Sequence, residues 1–283
     1  MPETIRVLTW NINCFTPERS AHKGALLRDL DWDVALLQEV SRSAIGVIAD
    51  EIGDCSYIDG LRLVDTPSTG RAHGCAVITR HDRIGSGTSF LIPRAGGGPP
   101  ERSFAERAVG AEMAVGDRSF TACSWHAAHA QGKPENLIRK MRGYAALSKF
   151  AAKTRPLIIG MDGNVRDDST ELRVPDPKSN RPDEHAFHGV DPAHGMVDAF
   201  RSFLDAHLDE RRRVNAMRQS DDTPLALTHI TKGGNRPRYR RMDRIYISPE
   251  FTCTEIRHEF ADAVMAGSDH AYVLATLEFA GTR

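Results

Sequence analysis

Leu157-Ile158-Ile159-Gly160-Met161-Asp162-Gly163-Asn164 is an apolar run of strand length that ends in a carboxylate, a glycine and an amide. Working outward from it, the same design recurs along the chain. Short runs rich in Val, Ile and Leu predict strands over Ile5 to Trp10, Val34 to Leu37, Gly74 to Thr79, Phe120 to Trp125, Arg244 to Ile247 and Tyr272 to Leu277. Asn11 follows the first of these, Glu39 the second, His126 the run ending at Trp125, and Asp162 with Asn164 the run ending at Met161. The last two runs are reversed, because Asp243 stands just before one and Asp269-His270 just before the other. Strands running in both directions gather all these groups on one rim, whereas an all-parallel sheet scatters them over two ends.

Between the strands, Pro134 opens a helix predicted over 132–153, with Leu137, Met141, Tyr144 and Leu147 on its inner face. Shorter helices are expected at Gly24 to Leu30, Ser41 to Ile52 and Val197 to Leu208. The stretches Pro93 to Pro100 and Val165 to His194 read as irregular, broken by glycines and prolines. The class is mixed α/β. No repeat and no linker divides the chain, so residues 1–283 are expected to form one domain.

With 40% hydrophobic and 27% charged residues, the chain is able to bury a large core and is unlike a disordered polymer. Its formal net charge of -1 gives no molecule-wide attraction to nucleic acid or anionic membrane, so any basic surface is local. The sequence holds no long apolar span and opens without a signal-like pattern, which leads us to expect a cytoplasmic protein with no membrane segment. Five scattered cysteines without a C-x-x-C pair indicate neither a disulfide framework nor a thiolate zinc site.

A rim of Asp, Glu and Asn oxygens suits Mg²⁺ or Mn²⁺, hard cations that keep waters beside a few carboxylates and phosphate oxygens. Such an ion offsets the charge that protects a phosphoester from attack, while a carboxylate or histidine orients and deprotonates the water.

Six segments, Thr9-Trp10-Asn11-Ile12, Leu37-Gln38-Glu39-Val40, Ser124-Trp125-His126, Gly160-Met161-Asp162-Gly163-Asn164, Met242-Asp243-Arg244-Ile245-Tyr246 and Gly267-Ser268-Asp269-His270, resemble in order the motifs of the endonuclease/exonuclease/phosphatase superfamily. The resemblance implies a four-layer α/β/β/α sandwich, two mixed sheets packed face to face with helices outside. It further implies that Glu39 is the principal metal ligand, with Asn11 and Asp269 beside it. Asp162 then aligns or deprotonates the water, and Asn164 and His126 contact the phosphate. Asp243 and His270 form a carboxylate-histidine pair. Both Asp162 and His270 stand as candidates for the base.

Each residue taken alone has a plainer reading: Asn11 as a cap, Glu39 as the complement of a helix start, Asp162-Gly163 as a turn, Asp243 as a solvated strand-edge charge, His270 as a structural histidine. Six such features in one order favour a shared site. His126 and His129 form an H-x-x-H, yet no third soft ligand follows at zinc-site spacing, so zinc is not expected. His185, His188 and His194 are expected to be solvated, and Asp198 and Arg201 to be structural.

The segment from Lys232 to Arg244 carries Lys232, Arg236, Arg238, Arg240, Arg241 and Arg244 against one acid, Asp243. Gly233-Gly234-Asn235 fits a hairpin tip. Arginines beside a catalytic residue suit a run of phosphates, and Arg238, Arg240 and Arg241 are the substrate-binding candidates. A solvated hairpin is the alternative. Arg240 stands where the abasic-site branch of the superfamily tends to carry an aromatic, and Asn13 where it carries an acid, which puts that specificity in doubt. A nuclease is the first expectation. A phosphatase or phosphodiesterase of a small phosphorylated metabolite or phospholipid headgroup is the second, and a silent binding protein the third.

Overall fold

The computed structural model describes residues 4–14, 17–63, 73–80, 84–89, 106–130, 134–165, 182–189, 192–218, 223–233 and 236–280. Two six-stranded sheets form its centre. The first takes β13 (Phe251–Glu259), β14 (Tyr272–Phe279), β1 (Thr4–Cys14), β2 (Val34–Ser41), β4 (His73–Thr79) and β3 (Ser56–Asp59) in that spatial order. The second takes β5 (Ile84–Ser89), β6 (Ala108–Val115), β7 (Arg118–His126), β8 (Leu157–Asp162), β12 (Asp243–Ile247) and β9 (Val197–Asp198). A separate two-stranded ribbon pairs β10 (His229–Gly233) with β11 (Arg236–Arg240).

Period-two alternation builds the layers, because successive side chains of a strand face opposite ways. Ile5, Val7, Val34 and Leu36 meet Ile158, Ile245, Ile247 and Ala122 between the sheets. The intervening residues face outward. Leu8, Trp10, Ala35 and Leu37 pack with Leu27 of α1 (Pro17–Asp29) and with Ile45 and Ile48 of α2 (Arg42–Ile52). On the far side, Trp125, Ile159 and Met161 pack with Met141, Tyr144 and Leu147 of α3 (Pro134–Ala151) and Phe187 of α4 (Pro182–His188). Helix, sheet, sheet and helix are the four expected layers. Gly160 lets the sheets close up, since a Cβ there would meet Leu36 and Thr9 at 2.7 Å.

The expected strand directions hold. β1 and β2 run parallel, as do β7 and β8, while β12 is antiparallel to β8 and β14 to β1. Elsewhere the structure adds elements. β3, β5, β6, β10, β11 and β13 were not among the expected strands, and α4 forms inside a stretch expected to be irregular. The predicted helix at Val197 to Leu208 is α5 (Ala199–Ala206), preceded by the short β9; Asp198 caps it by accepting from the amides of Phe200 and Arg201. α6 (Leu208–Met217) and α7 (Phe260–Met265) complete the described elements. Pro93 to Pro100 lies outside the described residues, as do 166–181 of the second irregular stretch. No helix among the described residues is long and apolar enough to cross a membrane.

Candidate active site

At one end of the space between the sheets, the inward positions change from apolar to polar. β1 runs Ile5, Val7, Thr9, Asn11; β8 runs Ile158, Gly160, Asp162; β12 begins inward at Asp243 and continues to Ile245 and Ile247. Register brings them level, with Asp243 opposite Asp162 and His126 opposite Asp162 on its other side. The segment before β14 is pinned to β1: Ser268 Oγ donates to the Asn11 carbonyl at 2.7 Å, and Trp10 Nε1 donates to the His270 carbonyl at 3.1 Å.

Asp162 is the hub. Its Oδ2 accepts from Asn11 Nδ2 at 2.9 Å and its Oδ1 from the Asn164 amide at 2.8 Å. His126 Nε2 lies 3.5 Å from the same carboxylate and His270 Nε2 4.0 Å from it. Burial alone raises the Asp162 carboxyl, but the charge of His270 and the hydrogen bonds outweigh it and hold the group below the ordinary carboxylate range. His270 is in turn fixed by Asp243, whose Oδ2 lies 2.9 Å from its Nδ1. Burial disfavours the imidazolium, yet the Asp243 and Asp162 charges prevail and push its pKa up to about 10.

Glu39 sits 3.6 Å from His126 Nε2 and hydrogen-bonds Asn11. Burial, then the Asp162 charge, raises its carboxyl above the usual range. The half-buried Glu39 faces the ionised Asp162 carboxylate across the Asn11 amide, and a cation beside Glu39 would relieve that repulsion. The donor set is therefore the hard-oxygen type that fits Mg²⁺ or Mn²⁺. Backbone geometry points to the same place. The non-glycine residues with positive φ among the described residues are Asn13 at 44°, Glu39 at 56° and Asn164 at 48°, all on this rim. Asparagine tolerates that conformation; a glutamate there is strain held at a functional site.

His126 is buried, and burial followed by the nearby Arg107 cation lowers its pKa well below that of free imidazole. Asn164 Nδ2 lies 3.0 Å from His126 Nε2 and donates to the Ala127 carbonyl at 2.9 Å. Asp269 stands apart on the solvent side, 58% exposed, accepting from Asn13 Nδ2 at 2.9 Å. A hydrogen bond from His229 outweighs its partial burial and holds its carboxyl well below the ordinary range.

The ribbon grows from this wall. Thr228 Oγ1 accepts from the amides of Met242 and Asp243, and the His229 ring lies over that of His270 with centroids 4.4 Å apart. Because His229 pairs with Arg240 and Thr231 with Arg238, those four share one ribbon face, the one that meets His270. Arg238 is exposed and Arg240 half-buried.

Arg241 departs from the expected set. It is 3% exposed, its Nη2 lies 2.6 Å from Asp198 Oδ1, and its guanidinium rests over Phe200. The ribbon ends at Arg240, so the next side chain turns into the core and is not a rim cation. Arg244 is also buried, on the outer face of β12, with Nη1 3.3 Å from Asp198 Oδ2. The loop histidines depart too. His185, His188 and His194 are buried, and His188 bridges Tyr144 Oη at 2.9 Å and Tyr246 Oη at 2.6 Å. Sequence reading passed over His73, His229 and Arg107. His73 carried a usable signal, since it immediately precedes the predicted strand Gly74 to Thr79.

The chain belongs to the Endonuclease/Exonuclease/phosphatase family, whose sequence profile matches residues 8–270. Family membership brings phosphoester hydrolysis as the general activity. Among solved structures, TDP2 of D. rerio complexed with single strand DNA product is similar with a TM-score of 0.64 at 12% identity, covering 98% of this chain and 99% of that one. An endonuclease/exonuclease/phosphatase from Beutenbergia cavernae reaches 0.63 at 19% identity, covering 98% and 72%. Truncated TDP2 of Caenorhabditis elegans reaches 0.59 at 15%, covering 98% of each. These likenesses concern the fold. No curated protein matches the chain in sequence.

Proposed function

We propose that this chain is a divalent-metal-dependent phosphodiesterase that cleaves nucleic acid. The observation that carries the reading is the convergence of Asn11, Glu39, His126, Asn164, Asp243 and His270 around Asp162, from segments far apart in sequence. Glu39 and Asn11, with Asp269 further out on the solvent side, would hold a Mg²⁺ or Mn²⁺ ion, which would supply positive charge to the phosphate and the leaving oxygen. Asp162 orients the attacking water and accepts its proton. His270, fixed as imidazolium by Asp243, serves as a cation facing the phosphate and is unsuited to the base role that sequence left open. His126 and Asn164 hydrogen-bond the phosphate oxygens.

The polymer reading is supported by Arg238 and Arg240, which share a ribbon face with His229 and extend the rim outward in a line suited to successive phosphates. The DNA product on the similar D. rerio protein points the same way. The test is hydrolysis of plasmid and single-stranded DNA and RNA beside a panel of phosphomonoesters, with Mg²⁺ and with chelator. Chelator-sensitive cleavage of a polymer is expected. Turnover of monoesters or small diesters with polymers untouched overturns the nucleic-acid reading in favour of a small phosphorylated metabolite or headgroup.

A further inference from the structure

We infer that Glu39, His73 and His126 form a second cation site, one for a zinc-class ion such as Zn²⁺ or Co²⁺. His73 opens β4 and lies opposite Ser41 in the register with β2, which places it beside Glu39. His126 ends β7 in the facing sheet. One ligand atom from each of the three lies within 4.8 Å of the others, the Glu39 to His126 pair being 3.6 Å apart. The two rings are tilted by 36° with centroids 6.5 Å apart. Ligands bound at about 2.0–2.2 Å are separated by roughly 2.8–3.6 Å at octahedral or tetrahedral angles. Closing from the observed spacing takes rotation of side chains, with the three strand ends left in place.

Donor chemistry separates this site from the hard-cation position beside it. Mg²⁺ keeps to oxygen and water, whereas two imidazoles with one carboxylate suit zinc-class ions and leave positions open for water. Both histidines are buried, His73 at 8% and His126 at 4% exposure. The local H-x-x-H of His126 and His129 contributes only its first member, because His129 is exposed and the other ligands come from β2 and β4.

One consequence rests on the proposed function. Glu39 and His126 each serve both positions, so zinc here removes a ligand and a phosphate contact from the Mg²⁺-supported reaction and inhibits it.

The test is titration of the whole chain with Co²⁺, read by visible d–d absorption in the presence of excess Mg²⁺. Saturation with nitrogen-ligated bands is expected in the wild type. His73→Gln is expected to weaken Co²⁺ binding by about tenfold or more while Mg²⁺-supported hydrolysis is retained. Equal Co²⁺ binding by wild type and His73→Gln overturns the site. Imidazole NMR of the wild type needs no variant: Zn²⁺ is expected to shift the His73 and His126 ring signals together, and unmoved rings at saturating Zn²⁺ overturn it. Co²⁺ binding that depends on His73, in a chain that hydrolyses no phosphoester, upholds the site and overturns the proposed function instead.

Discussion

The two faces of β12 hold buried polar clusters of opposite character. On the inner face, Asp243 joins Asp162 and Glu39 in a group where carboxylates outnumber the cations beside them, chiefly His270 and Arg107. On the outer face, one residue along, Arg244 and its neighbour Arg241 share Asp198, and Tyr246 joins Tyr144 through His188. In the outer cluster a single carboxylate is shared by two guanidinium groups, and Asp198 is held far below the usual carboxylate range, chiefly by Arg241 and Arg244 against the cost of burial. The inner cluster is left with an excess of negative charge and strained backbone. The same strand thus carries one cluster in which arginines outnumber carboxylates and one in which carboxylates outnumber cations, and the proposed function assigns the second to binding.

If that contrast is right, breaking the inner cluster removes activity and leaves the fold intact. Glu39→Ala is expected to lower kcat by about 10³-fold or more. Its thermal midpoint is expected to hold or rise, because a like-charge contact with Asp162 disappears while alanine keeps the same positive-φ backbone that glutamate had. Wild-type turnover by Glu39→Ala defeats the assignment. Breaking the outer cluster does the reverse. Asp198→Ala leaves two guanidinium groups buried without their counter-charge and removes the cap of α5, and is expected to cost about 3–5 kcal/mol in a denaturant titration. Catalysis by the fraction still folded is expected to stay near wild type. A loss of turnover larger than the loss of folded protein would join the two clusters into one functional unit.

The same contrast explains what was legible beforehand. Inner-face residues could be read because each interrupts an apolar run at its end, and strand period two then fixes which way it points. Asp162 after Met161 and Asp243 before Arg244 are visible on that basis without any knowledge of partners. The outer cluster leaves no such trace. Arg241 and Arg244 look like rim cations in a basic segment until Asp198, more than forty positions earlier, is brought against them by the antiparallel pairing of β9 with β12. His188 looks solvated because its two tyrosine partners lie on α3 and β12. The missed strands β10 and β11 read His-Ile-Thr-Lys-Gly and Arg-Pro-Arg-Tyr-Arg, with only Ile230 and Tyr239 as large apolar residues and so little apolar alternation to betray a ribbon.

The ribbon sharpens the comparison at the rim. Arg238 and Arg240 face with His229, while Arg241 faces the core, so the three arginines are expected to separate experimentally. Changing Arg238 and Arg240 to Ala together is expected to reduce the slope of log affinity against log salt for single-stranded DNA by about 1.4, since each phosphate contact on a single strand contributes about 0.7. Folding stability is expected to be nearly unchanged. Arg241→Ala is expected to lower stability while leaving the slope of the folded protein alone. An unaltered slope in the double variant means the ribbon does not follow the phosphates.

The smallest expected effect concerns protons. Burial, then the cations of Arg244 and Lys140, holds His188 well below the pKa of free imidazole. Above about pH 6.5 the ring is neutral whether the chain is folded or not, and it adds no pH dependence. Below that the unfolded chain takes up a proton that the folded chain refuses, so stability falls with acid, by at most about 1.4 kcal/mol per pH unit for this group. His126 and His194 are lowered as well and add to the same acid limb. His270 acts oppositely: raised to about 10, it contributes stability that is full below about pH 6.5 and lost as pH climbs toward 10. His188→Gln is expected to keep side-chain polarity between the tyrosines and to flatten the acid limb by up to one proton, leaving the alkaline limb unchanged. Denaturant titrations from pH 5 to 9 read both limbs, and an acid limb as steep in the variant as in the wild type would show that the outer cluster takes up acid without yielding stability.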